Sequence, residues 1–273
     1  MDLALIPDHY LKAVLSIGIR KQDGTIGWFG TGFMIIKKVG EKQYRPFLVT
    51  NKHVLFGKQS VVIRLQKKDS DQLVTIDVSV AKNGEKLYSV HPDDKVDIAV
   101  MTLVGSYFDQ NNLKLAAFEI DNAALDSSQY VNEGGSEGSG VYMLGFPMGL
   151  VEVDSNMPIC RSGCVARITQ SEIERTKNFL LDIQNFPGNS GSPVISKPEL
   201  VSVGDTKALG KSVLIGIIHS YIPYRETLIN SQTKETVEIR SENSGLASAN
   251  PVEYIRETMD IEMQRVVTNI SQT

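Results

Sequence analysis

The stretch that decides the fold is Phe186-Pro187-Gly188-Asn189-Ser190-Gly191-Ser192-Pro193. A serine used as a nucleophile needs its hydroxyl exposed on a tight turn, with backbone N–H groups aimed where a tetrahedral intermediate would carry negative charge. Gly188, Gly191 and the two prolines supply such a turn. Gly, Asn, Ser and Pro also make ordinary polar loops, so the reading rests on whether the chain supplies a base and an acid to orient it.

Both are present. The apolar run Pro46-Phe47-Leu48-Val49-Thr50 leads into Asn51-Lys52-His53-Val54-Leu55, which places a histidine where a strand ends. Lys95-Val96-Asp97-Ile98-Ala99-Val100-Met101 places one acid at the start of an apolar strand. Asp93 and Asp94 precede that run, whereas Asp97 is embedded in it and is the acid expected to be buried beside a base. Histidine, aspartate, serine is one of the chain orders in which this set of three occurs.

Together these motifs resemble the trypsin-like (chymotrypsin-fold) serine peptidases. Gly30-Thr31-Gly32-Phe33, Leu144-Gly145-Phe146-Pro147-Met148-Gly149-Leu150, Arg161-Ser162-Gly163-Cys164-Val165 and Ser244-Gly245-Leu246-Ala247-Ser248-Ala249 are similar to segments of the bacterial HtrA-type and glutamyl endopeptidase-like branches. The likeness spans roughly residues 10 to 265, without the PDZ module of HtrA-type proteins.

The resemblance implies an all-β fold of two six-stranded antiparallel β-barrels with a C-terminal α-helix. The division expected is 1–120 for the first barrel with His53 and Asp97, 121–140 for a linker, 141–249 for the second barrel with Ser190, and 250–273 for the helix and tail. It also implies that His53 acts as general base, Asp97 as orienting acid and Ser190 as nucleophile, with the N–H groups of Gly188 and Ser190 as the oxyanion hole. Gln184 falls near the base of the first substrate pocket, and Leu214 to Ser220 resembles its wall. His219 falls one residue later than a histidine that binds acidic side chains in glutamyl endopeptidases. It is therefore either a specificity residue, with Ser220 beside it, or a strand-end histidine lining the cleft.

Composition agrees with that class. With 28 Lys plus Arg against 32 Asp plus Glu in 273 residues, there is no basic footprint for nucleic acid. No window approaches the roughly 18 apolar residues of a membrane span, and the amino terminus carries acids where a secretory signal carries positive charge. A soluble, cytoplasmic protein is expected. Cys160 and Cys164 would lie about 13 Å apart in an extended strand, which favours free thiols and a reducing compartment. They lack the second Cys or His pair of a zinc site, and the implied acyl-enzyme mechanism needs no cofactor.

Strands are expected where apolar and polar residues alternate, as in Ser60–Leu65 and Leu73–Val80. Ile222–Asn243 reads as irregular and polar. Asn250-Pro251-Val252-Glu253 reads as a helix start with Asn250 as N-cap, and His9 and His91 read as surface residues. The activity expected is a serine endopeptidase on protein or peptide substrates. One version is a selective intracellular processing protease, for example in a stress or defence system. The alternative is a catalytically silent barrel module that binds proteins.

Overall fold

The computed structural model describes residues 5–271 apart from 42, 203 and 205; the first four residues, on which part of the amino-terminal reading rests, and the last two of the tail lie outside the described residues. A short helix, α1 (Asp8–Ala13), comes first. Tyr10 and Ala13, three apart, bury on one side of its turns. Strands β1 (Val14–Arg20), β2 (Ile26–Gly40), β3 (Gln43–Thr50), β4 (Ser60–Gln66), β5 (Leu73–Ser79), β6 (Ala81–Lys82), β7 (Glu85–Lys86), β8 (Ser89–Val90), β9 (Ala99–Thr102) and β10 (Phe118–Glu119) follow.

Six of these, β1 to β5 with β9, carry the first half. The sheet runs β5-β4-β1-β2-β3-β9-β8, with β10 added parallel to β2. Eight strands rather than six take part, and among the described residues no pair joins β5 to β8 to close the path. Alternation in β1 to β4 sends Leu15, Ile17, Met34, Leu48, Val61 and Ile63 into one core.

The second half does close. Strands β11 (Gly140–Gly145), β12 (Ile159–Arg167), β13 (Phe179–Asp182), β14 (Pro193–Ser196), β15 (Leu214–Ile229) and β16 (Thr236–Pro251) form a six-stranded barrel in the order β11-β12-β13-β16-β15-β14. Between the halves, Glu119–Gly140 contains one short helix, Ser127–Asn132, with a capping box made by Asp126 and Gln129. Cys160 and Cys164 share β12 and are free thiols.

Ile222–Asn243 differs from its expected irregularity. Antiparallel pairing runs from Gly216↔Pro251 to Ile229↔Thr236, with register shifts at Ile218/Ser220, Tyr221/Pro223 and Leu228/Ile229, so the segment is a two-stranded ribbon extending β15 and β16 beyond the barrel. Both faces of that ribbon are largely exposed. No buried face imposes the period-two apolar pattern by which strands are recognised.

The terminal helix spans Val252–Ser271 and buries Val252, Ile255 and Met259. It begins after β16 has run to Pro251, so Asn250 is a strand residue and not its cap.

Candidate active site

His53 sits in a four-residue helix, Lys52–Leu55, that continues directly from β3. Its ring Nδ1 meets Oδ2 of Asp97, and its backbone N–H donates to Asp97 Oδ1 at 3.1 Å. One carboxylate thus fixes both the position and the tautomer of the imidazole, which leaves Nε2 as the ring's acceptor. The His53 side chain is half exposed, while that of Asp97 is mostly buried.

Asp97 lies in the segment leading into β9 and is clamped along its backbone. Its carbonyl accepts from Asn51 Nδ2 at 2.7 Å and from the Lys52 N–H at 3.3 Å. Its N–H donates to Asn250 Oδ1 at 3.1 Å, and Asn250 Nδ2 in turn donates to Lys177 O and Asn178 Oδ1, each at 2.9 Å. A fully buried asparagine from the second half therefore supports the acid of the first.

Burial pushes the Asp97 carboxyl up, but the neighbouring His219 ring and the hydrogen bonds and charge of His53 outweigh it and hold the group well below the usual carboxylate range. His219 Nδ1 lies 3.7 Å from Asp97 Oδ2, and its Nε2 is 3.2 Å from the Ser220 hydroxyl. His219 is the unpaired residue at a register shift between Ile218 and Ser220, and a bulge of this kind re-aims a side chain. Gln184 is exposed and lies beside Gly245, and it makes no hydrogen bond to His53, Asp97, His219 or Ser220 among the described residues.

The Ser190 loop opens with a type II turn. Phe186 O accepts the Asn189 N–H at 3.1 Å, Pro187 stands at the second position, and Gly188 takes φ +98° at the third. The Pro187 carbonyl is held by the Met148 N–H at 2.5 Å. Because the peptide is planar and trans, the Gly188 N–H points the opposite way. Among the described residues the N–H groups of Gly188 and Ser190 donate to no protein acceptor, whereas the Asn189 N–H between them is taken.

Thr31 of β2 buckles this loop to the first half. Its N–H donates to Ser190 O at 2.9 Å, and its hydroxyl donates to Gly188 O at 2.7 Å and accepts the Phe146 N–H at 3.1 Å. The approach is close enough that a Cβ on Gly191 would lie 2.0 Å from Thr31 O. Gly30, one residue earlier, lies against both the Val54 side chain and Ser190 O, so the His53 helix and the serine loop meet across β2. The Ser190 hydroxyl itself makes no hydrogen bond to the His53 ring among the described residues.

A family model described as "Trypsin-like peptidase domain" matches residues 30–204, well over half of the chain. The chain belongs to the trypsin-like peptidase family. Among solved structures, this peptidase is similar to the HtrA-type protease AlgW with a decapeptide, at 15% identity and TM-score 0.50, covering 94% of this chain and 66% of that one. It is also similar to the MamO protease domain from Magnetospirillum magneticum, at 12% identity and TM-score 0.48 over 92% and 98% of the two chains. A third, Rv3671c from M. tuberculosis in an inactive mutant form, shows 13% identity and TM-score 0.46 over 93% and 88%. No curated protein matches the chain in sequence.

The two remaining histidines are expected at the surface. His9 is exposed. His91, expected at the surface, is buried: its Nε2 meets Glu257 Oε2 at 2.8 Å, its Nδ1 accepts the Asp93 N–H at 3.1 Å, and its ring packs edge-on to Tyr254. Glu257 and Tyr254 come from the terminal helix, which the local acidic sequence does not reveal. Among the described residues, no group of three or more His, Cys, Asp or Glu side chains is placed to hold a metal ion.

Proposed function

We propose that this peptidase is a serine endopeptidase in which Ser190 attacks the scissile carbonyl, His53 Nε2 takes the Ser190 proton and returns it to the leaving amine, and Asp97 holds and stabilises the imidazolium. The carrying observation is the Asp97 carboxylate, which receives both the ring and the backbone N–H of His53. The unengaged N–H groups of Gly188 and Ser190 support an oxyanion hole already turned toward the intermediate. The bond from Ser190 to His53 is the last to form, since such contacts tighten when substrate enters.

The substrate class is protein or peptide, as membership of a peptidase family implies; the decapeptide on AlgW is consistent with it. Gln184 and Ser220 are assigned to the substrate side of the cleft. His219 is assigned to Asp97 instead, because both of its ring nitrogens face protein partners. The two free thiols accord with a reducing, cytoplasmic setting.

Labelling by a small fluorophosphonate tests the reading. Modification of Ser190, absent in Ser190→Ala and slowed in His53→Ala, is expected. A folded protein that is not labelled would instead be a silent barrel that keeps these residues for binding other proteins.

A further inference from the structure

The outer part of β15 has β16 along one side and no paired strand along the other among the described residues. Within the barrel that second side is occupied by β14, antiparallel, from Leu214↔Ile195 to Ile217↔Pro193. The last protein bonds on it are made by the Ser190 loop: Ile218 N–H to Ser192 O at 2.9 Å, and Gly191 N–H to Ile218 O at 3.1 Å. From His219 to Ile229 the edge is open. That is about ten residues, or roughly 33 Å at about 3.3 Å per residue.

Direction decides what such an edge accepts. β14 runs antiparallel to β15 and away from the Ser190 loop. A strand laid on the open edge in the same line and sense has its amino end at the ribbon tip and its carboxyl end at Ser190. The chain whose carbonyl reaches the Ser190 hydroxyl is then the segment upstream of the cut.

We propose that the outer ribbon, Tyr224–Ile229 of β15, is a docking edge for six or more substrate residues lying well upstream of the scissile bond, held by β-strand addition. This rests on the serine-peptidase reading and concerns residues beyond the barrel's own strands. An isolated two-stranded hairpin is marginal in water, and a third strand completes a sheet. Tyr224 and Ile229, each more than half exposed, lie on β15 itself beside the open edge. Arg225 and Glu226 place charge on the same stretch, a feature that discourages edge-to-edge pairing between copies. Pro223 has no N–H, so the ladder has one missing donor near the barrel.

The test is a series of peptidyl diphenyl phosphonates that share their last three residues and are extended at the amino end to six, nine and twelve residues with an Ala/Ser/Thr repeat. The second-order rate of Ser190 modification is expected to rise about tenfold from three to nine residues, the outcome of several backbone hydrogen bonds that each contribute little, and to level off by twelve. Single N-methyl amides in the outer part should slow the reaction at alternate positions, because only every second N–H of a strand faces its neighbour. In a variant with Tyr224–Glu242 replaced by Asn-Gly, a two-residue hairpin loop, the three-residue phosphonate should react as before and the length dependence should vanish. Length-independent labelling of the wild-type protein overturns the inference while leaving the peptidase reading intact, as does a ribbon-dependent dimer in sedimentation. No labelling by any probe, the fluorophosphonate included, overturns the peptidase reading and this one with it.

Discussion

His219 Nδ1 lies 3.7 Å from Asp97 Oδ2, the same oxygen that meets the ring of His53. One carboxylate therefore serves two imidazoles, one from each half of the molecule. Asp97 is depressed below the ordinary carboxylate value of about 3.9. A depressed acid binds fewer protons folded than unfolded, so it contributes stability above its unfolded pKa and loses it as pH falls through the folded one. The wild-type protein should be more stable than Asp97→Asn near neutrality, and the gap should narrow below about pH 4. Thermal unfolding of both proteins between pH 3 and 7 measures it, and a gap that is constant with pH contradicts the assignment.

His219→Leu tests the second imidazole. The His219 ring beside Asp97 is one of the causes that lower its pKa, so its loss should move that pKa upward. The acid loss of stability then begins at higher pH than in the wild-type protein, while His219→Gln, which keeps a donor, shifts it less. A residue that merely lined the cleft would leave the pH profile of unfolding unchanged.

Asn250 carries the next expectation. Its side chain is fully buried and joins Asp97, Lys177 and Asn178. Asn250→Ala strands these groups, at a cost of about 1–3 kcal/mol per unsatisfied buried partner. Denaturant unfolding should show a loss of that order, and phosphonate labelling should slow in the protein that remains folded. Asn250→Asp keeps the acceptor for the Asp97 N–H but sets a buried carboxylate against the Lys177 and Asn178 oxygens, and so should cost at least as much as Asn250→Ala.

The contrast between His53 and Asn250 shows where sequence information ends. His53, Asp97 and Ser190 stand out as candidates because each lies at a strand end or in a glycine-rich turn, a setting that the neighbouring residues display. Thr31 was visible only as part of a motif, since its work on Gly188 and Ser190 is done across more than 150 residues. Asn250-Pro251 has the composition of a helix cap, yet β16 holds both in extended pairing with β15 and the asparagine turns to Asp97 instead. The burial of His91 is hidden for the same reason, since Glu257 and Tyr254, which enclose it, lie on the terminal helix. The ribbon was missed on other grounds: with neither face buried, its strands leave no alternation to read. The side of β15 to which His219 points required the register of the whole barrel.

The serine turn supplies the last expectation. In a type II turn the third residue has positive φ, which costs a non-glycine residue strain, and Gly188 stands there at +98°. A Cβ on Gly188 would also sit 2.3 Å from the Phe146 carbonyl oxygen. Gly188→Ala should therefore turn the central peptide over toward a type I turn, break the Met148 to Pro187 bond, and swing the Gly188 N–H away from the developing oxyanion. Loss of one such donor lowers the rate by about 10² to 10³. Turnover of a peptide substrate should fall by that factor with circular dichroism and the His53–Asp97 pair unchanged. Pro187→Ala, which keeps the glycine, should cost far less, and equal losses in the two variants would show that the turn type is not what orients the donor.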